Sequence, residues 1–378
     1  MSGPLTYLDH AASTPMRREA IDAMLPYLDA QYANPNGSHR FARDARRALD
    51  DARDVVADVV GCAPGDIIFT AGGTEADNTA VLGVVARRGG TAVCSAVEHH
   101  AVLHAVEHVG GRVVGVDAEG RIDMQQMAAA IDQDVSVVSV MAVNNEVGSI
   151  TDIAAAAEAA RRANAHVVVH TDAVQAACWL DLRTITPHVD LLSLSGHKFG
   201  GPKGVGVLVA RTAGTFDPLI IGGGQERERR SGTQNVAGAV ALAEALRLAD
   251  IERDHENARL TVLRDRLVGQ LRACLPNVRE TVDPMHKVAG SAHVCIRDIE
   301  NEALLYMLDE GNVCASAASA CAAGAMEPSH VLAAMGVERQ WAAGAVRLTL
   351  GRTTTDADVD RAIEVIVGAV QHIRGFAA

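Results

Sequence analysis

Aromatic side chains are scarce here: two Trp, four Tyr and five Phe make up 3% of 378 residues, while 48% of the chain is hydrophobic. Its core must therefore be built largely from Ala, Val and Gly, which suits helices packed closely on a sheet. Positive charge is also short. Lys and Arg number 34 against 47 Asp and Glu, and the formal net charge of −13 argues against a nucleic-acid-binding surface. No uninterrupted apolar run is long enough to cross a bilayer, and the first residues carry no secretory signal, so the expected location is the cytoplasm. Seven cysteines (Cys62, Cys94, Cys178, Cys274, Cys295, Cys314 and Cys321) lack CxxC or Cys/His finger spacing. That excludes a disulfide framework or a structural zinc site and makes most of these thiols small core residues.

The length suffices for a large and a small domain, each with a buried core. From about residue 55 to 260, apolar β-type runs alternate with amphipathic helical stretches: 67–70, 92–95, 135–143, 166–171, 189–194 and 205–209 read as strands. Such βα alternation predicts an α/β fold with a mostly parallel sheet and helices on both faces. A long charged helical stretch from about 255, a strand at 345–350 and a final helix at 356–374 predict a smaller α+β domain, completed by the N-terminal segment. Residues 314–325, rich in Ala, Ser and Gly, read as a mobile loop.

In open α/β sheets, ligands gather outside the carboxyl ends of the strands. Polar residues stand at those ends: Thr74, His99, Asn145, Asp172, Gln175, Ser195, His197 and Lys198. Lys198 closes an apolar run and is followed by Gly200-Gly201-Pro202-Lys203-Gly204, as a Schiff-base lysine beside a bound phosphate would require. Gly72-Gly73-Thr74 would let backbone N–H groups approach an anion at a helix start, or would be a plain N-cap. Asp172 follows Val167-Val168-Val169, where a carboxylate needs a cation such as a protonated pyridine nitrogen, or serves to cap the next helix. Gln175, three residues on, could donate to a phenolic oxygen of the same ring. His99 could stack on a cofactor ring and move protons, or be an ordinary structural histidine. Cys321, between small residues, has the setting of a thiol that travels to a substrate. Arg347, in an apolar strand, is either a carboxylate clamp or a strand arginine snorkelling to solvent.

Ordered landmarks join these residues. They are Tyr7-Leu8-Asp9-His10-Ala11-Ala12-Ser13-Thr14-Pro15, Phe69-Thr70-Ala71-Gly72-Gly73-Thr74-Glu75, Asn144-Asn145-Glu146-Val147-Gly148, Ser195-Gly196-His197-Lys198, Gly222-Gly223-Gly224-Gln225-Glu226-Arg227, Arg230-Ser231-Gly232-Thr233 and Leu350-Gly351-Arg352. In that order, and nearly end to end, they resemble the cysteine desulfurases, fold-type I pyridoxal-phosphate (PLP) enzymes of the class V aminotransferase group. The stretch from Cys321 through Met326-Glu327-Pro328-Ser329-His330 is similar to the long-loop subgroup.

The resemblance implies a fold-type I PLP-dependent transferase with a seven-stranded, mostly parallel sheet. A large domain would span 15–255, and a small α+β domain, 1–14 with 256–378, would carry the nucleophile loop. Lys198 would hold pyridoxal 5′-phosphate covalently, Asp172 would pair with its ring nitrogen, and His99 would stack on the ring. Gln175 and Asn145 would lie near the ring oxygen or the substrate. Gly73, Thr74, Ser195 and His197 would bind the phosphate, as would Thr233 from the partner subunit of a homodimer with shared sites. Arg347 would hold the carboxylate of L-cysteine, and Cys321 would take its sulfur as a persulfide, releasing L-alanine. An acceptor protein, either an iron–sulfur scaffold or a thio-modification enzyme, would receive that sulfur; neither a membrane nor direct nucleic-acid binding is expected. Two features depart from the family pattern. Ala317-Ala318 stand where Ser-Gly is usual, and little chain follows the last helix, where housekeeping members carry a scaffold-docking tail. Alternatives are another PLP β-lyase, an aminotransferase or a selenocysteine lyase, and a catalytically silent sulfur-carrier subunit.

Overall fold

The computed structural model describes residues 4–212, 214–317 and 329–376. In chain order its strands are β1 (Thr6–Tyr7), β2 (Ile67–Thr70), β3 (Thr91–Ser95), β4 (Arg112–Val114), β5 (Val135–Ser139), β6 (Val168–Asp172), β7 (Leu191–Ser195), β8 (Gly206–Ala210), β9 (Val278–Glu280), β10 (Ser291–Ile296), β11 (Val313–Cys314) and β12 (Ala345–Thr349). Seven of them form the central sheet in the order β2-β8-β7-β6-β5-β3-β4. Neighbours from β7 to β4 run parallel, and the β2–β8 and β8–β7 pairs are antiparallel.

Strands β6 and β7 are buried along their whole length, as expected of a sheet covered on both faces. Side chains alternate between two cores. Ile68, Val168 and Leu191 point to one face, under the helices Gly73–Arg88 and His100–His108. Ile67, Val169 and Leu192 point to the other, under Arg40–Val60 and Ile153–Ala163. Each fully buried Leu in these layers contributes roughly 1.5–3 kcal/mol. A three-stranded antiparallel sheet, β12-β10-β9, has its own core, in which Val294, Val346 and Leu348 meet Leu263, Leu304 and Ile366. The N-terminal β1 pairs in parallel with β11.

The charged helix expected from about 255 starts earlier, at Val236, capped by the Asn235 side chain on Gly238 N–H, and runs to Cys274. Its first half escaped notice because Ala239, Ala241, Leu242, Ala243, Ala245 and Leu246 are buried on successive sides, which hides the helical period. Its second half packs Leu260, Leu263, Leu267 and Leu271 into the smaller core, so one rod joins both cores. Strand β5 ends at Ser139 rather than 143, although Val140 and Ala142 N–H still bond the carbonyls of His170 and Asp172.

Candidate active site

The carboxyl ends of β6 and β7 and the start of the helix Gly73–Arg88 converge on one cavity of about 270 Å³. Its lining includes Gly73, Thr74, His99, Asn145, Asp172, Gln175, Ser195, His197, Lys198 and Arg347. Most of the residues singled out in the sequence are thus brought together. Thr233 is not among them: it is exposed and outside the lining. Cys321 lies outside the described residues.

Lys198 ends a short turn directly after β7, and its Nζ donates to the carbonyls of Ala11 (2.5 Å) and Ala12 (3.0 Å). Burial, and then the Arg347 charge, pull its pKa down to about 8, while Asp172 and Asp9 oppose the shift. A lysine so placed supplies far more free amine near neutrality than an exposed one. Asp172 is buried at the end of β6, and its Oδ1 accepts from Val174 N–H at 2.9 Å. Burial raises its pKa above the ordinary carboxylate range; the Val174 N–H and the Lys198 charge hold it back. A protonated ring nitrogen would remove that penalty.

Next to Gly73 of the lining, Gly72 is the N-cap of Gly73–Arg88 with φ +153° and contributes no side-chain cap. The N–H groups of the first turn therefore remain for an anion. Gly73 is needed there, since a Cβ would stand 2.7 Å from Val174 Cγ2. Ser195, His197 and Lys203 surround the same spot. His197 Nδ1 lies 3.4 Å from Ser13 Oγ, and burial followed by the charges of Lys198 and Lys203 brings its pKa to about 4.

His99 caps the helix His100–His108, its Nδ1 accepting from Ala101 N–H at 3.1 Å, so the neutral ring carries its proton on Nε2. His99 is exposed and lines the cavity, and desolvation, then Lys198 and the neighbouring histidines, bring its pKa to about 4. Gln175 Nε2 donates to Ala11 O at 2.8 Å, which positions its amide beside Lys198 and commits one donor to the backbone.

Burial bears on one of the two readings of Arg347. It is 5% exposed, which removes the snorkelling alternative. Its guanidinium donates to Asp9 Oδ1 at 2.7 Å and to Asn145 O at 2.8 Å, while its buried Nε has no hydrogen-bond partner among the described residues. The Arg347 backbone exchanges hydrogen bonds with Ser316, and the Ser329 hydroxyl donates to Glu146, so the chain flanking 318–328 is fixed beside Arg347 and Asn145. The thiols of Cys62, Cys178 and Cys314 are pushed up by burial, Cys62 to about 12 and Cys178 to about 11, so none of these three is a primed thiolate.

Sequence reasoning missed Asp9, the Ala11 and Ala12 carbonyls, and the buried Asp77. The first three come from the N-terminal segment, which lies against the site only after the fold forms. Asp77 also lines the cavity and reads in the sequence as an ordinary helix residue.

Residues 6–362 match the model of the class-V aminotransferase family. The chain is 44% identical to an IscS-like cysteine desulfurase of Mycobacterium tuberculosis strain H37Rv, over 98% of this chain and 97% of that one. It is 39% identical to the cysteine desulfurase IscS of Methanosarcina thermophila, over 98% and 93% of the two chains. The chain belongs to the cysteine desulfurases of the class-V aminotransferase family. A solved NifS-like protein superposes with a TM-score of 0.91 at 31% identity, covering 98% of this chain and all of that one.

The cofactor of this family is pyridoxal 5′-phosphate, and the site fits it. An amine of depressed pKa, a buried carboxylate with no ion pair within 4 Å among the described residues and an uncapped helix start occupy one cavity. They match the aldehyde, the ring nitrogen and the phosphate of the group, respectively. Among the described residues, no His/Cys/Asp/Glu cluster has the arrangement of a metal site. No helix of the described residues is long and apolar enough to cross a membrane.

Proposed function

We propose that this cysteine desulfurase removes sulfur from L-cysteine with pyridoxal 5′-phosphate, releasing L-alanine and leaving a persulfide on Cys321. The observation that carries the reading is Lys198, an amine lowered to about pKa 8, in one cavity with Asp172. When bound, the cofactor supplies an electron sink for the substrate Cα. The protein's residues supply the rest. Lys198 attaches the group and moves a proton at Nζ. Asp172 would stabilise positive charge on the ring nitrogen, Gly73, Thr74, Ser195 and His197 would hold the phosphate, and His99, its proton on Nε2, would cover the ring. Arg347 has two donors engaged by Asp9 and Asn145 and N–H groups to spare for the substrate carboxylate. The Cys321 thiolate attacks the substrate sulfur; an S–S bond forms, the C–S bond breaks, and the carbon fragment leaves as alanine after protonation.

In the same reading the enzyme is a cytoplasmic homodimer, with Thr233 reaching the partner's phosphate site from its exposed position. Residues 15–255 form the cofactor-binding unit, and 1–14 with 256–378 the unit that carries Cys321. The persulfide passes to an acceptor protein, either an iron–sulfur scaffold or a thio-modification enzyme. Substitution Cys321→Ser tests the reading with sulfur-labelled cysteine. The variant is expected to keep the colour of the bound cofactor, to form no protein-bound persulfide and to lose alanine production. Continued turnover of L-cysteine to alanine would overturn the persulfide route.

A further inference from the structure

Behind Asp172 lies a row of polar groups that the mechanism above does not use. Strand register sets it out: Ser139 of β5 pairs with His170 of β6, and Asp172 of β6 pairs with Ser193 of β7. His170 and Asp172 share a face of β6, the face covered by the helix Gly73–Arg88, from which Asp77 descends. Ser139 Oγ is 2.7 Å from His170 Nδ1, His170 Nε2 is 3.0 Å from Ser193 Oγ, and the same Nε2 is 3.7 Å from Asp77 Oδ1. All five residues are at most 3% exposed.

Among the described residues, Asp77 has no Lys or Arg partner. The nearest candidate, His170 Nε2, is 3.7 Å from Asp77 Oδ1, and burial keeps that imidazole neutral. The other ionisable groups acting on Asp77 are Asp172 and Glu98, both carboxyls. Its buried Oδ1 has no hydrogen-bond partner among the described residues, and the residue lines the cofactor cavity. Asp172 is better provided, with the Val174 N–H and the Lys198 charge. Two carboxyls close together in low dielectric do not both ionise, and the proton goes to the one with less support.

We propose that Asp77 is a positioning residue of the cofactor site: a neutral carboxylic acid that closes the Ser139–His170–Ser193 row and leaves Asp172 the lone anion facing the ring nitrogen. The inference rests on the cofactor reading above. An ionised Asp77 would push Asp172 toward protonation and weaken its pairing with a protonated ring.

Two readouts on the isosteric Asp77→Asn variant test it. In the apoprotein near neutral pH, infrared difference spectra should show loss of a neutral-acid carbonyl band, whereas Glu98→Gln leaves that band in place. In the loaded protein, the pH titration of the cofactor's visible absorbance should keep its midpoint in Asp77→Asn and move in Asp172→Asn. Ser193→Ala should shift the Asp77 band by changing the polar surroundings of that carboxyl, and it decides the assignment if Asp77→Asn is not recovered folded. The proposal is overturned if Asp77→Asn removes no neutral-acid band, if Ser193→Ala leaves the band unmoved, or if Asp77→Asn shifts the titration midpoint by about one unit or more, the effect of deleting a neighbouring charge. The infrared readout needs no cofactor, so its failure is distinct from a failure of the loaded protein to develop colour.

Discussion

Replacing Arg347 with Gln should separate its structural from its substrate-binding role. The guanidinium is buried and paired with Asp9, whose side chain is 21% exposed. Removing one partner of a fully buried pair costs about 3–5 kcal/mol, and the partial hydration of Asp9 lowers this to about 2 kcal/mol. Adding Asp9→Asn takes away the stranded carboxylate, so the double variant should regain most of that stability in denaturant titrations. The substrate should not be rescued. Two charge-assisted hydrogen bonds to a carboxylate are together worth roughly 3 kcal/mol, or about two orders of magnitude in kcat/KM. Alanine formation from L-cysteine, assayed at saturating cofactor, should fall by that factor in both variants. Recovery of kcat/KM in the double variant would refute the reasoning, because Arg347 would then act only by neutralising Asp9.

Gly73→Ala should weaken cofactor binding by about tenfold, since the added Cβ meets Val174 Cγ2 at 2.7 Å; an absorbance titration measures it, and Val174→Ala should restore part of the loss. Burial holds Glu98 well above the ordinary carboxylate range, so the native apoprotein retains a proton that the unfolded chain releases near pH 4. Stability therefore falls as pH rises from about 4 through the raised native value, and Glu98→Gln should stabilise the apoprotein at pH 8 by on the order of 1 kcal/mol or more, read by thermal melts. His170, lowered to about 3 by burial, acts in the opposite sense: stability falls as pH drops from about 6.5 through that native value, because the unfolded imidazole protonates first. Alkylation in the folded apoprotein should label exposed Cys274 quickly, whereas buried Cys94 and Cys295 should react only after denaturation, as peptide mapping by mass spectrometry would show.

Six of the seven central strands were legible because Val- and Leu-rich runs end in polar residues, and those ends are where the ligand cavity forms; β4, only Arg112–Val114, was too short to read. Lys198, Asp172 and His197 could be named for the same reason. What escaped was set by long-range geometry. The Asp9–Arg347 pair joins residues 338 apart, and nothing local in either segment signals it. Asp77 sits at a helix position where a polar residue is unremarkable in sequence. It becomes informative only once strand register puts Ser193 and Asp172 beneath it. The two readings of Arg347 differed only in burial, a property of the packed strand pair β10–β12 rather than of its neighbours in the chain.

The most direct test of the central claim follows products from the loaded protein. With L-cysteine and a thiol reductant, L-alanine and sulfide should appear in equal amounts, and both should vanish when Lys198 is replaced by Ala. Pyruvate and ammonia appearing with sulfide in place of alanine would contradict the account and make the chain a β-lyase.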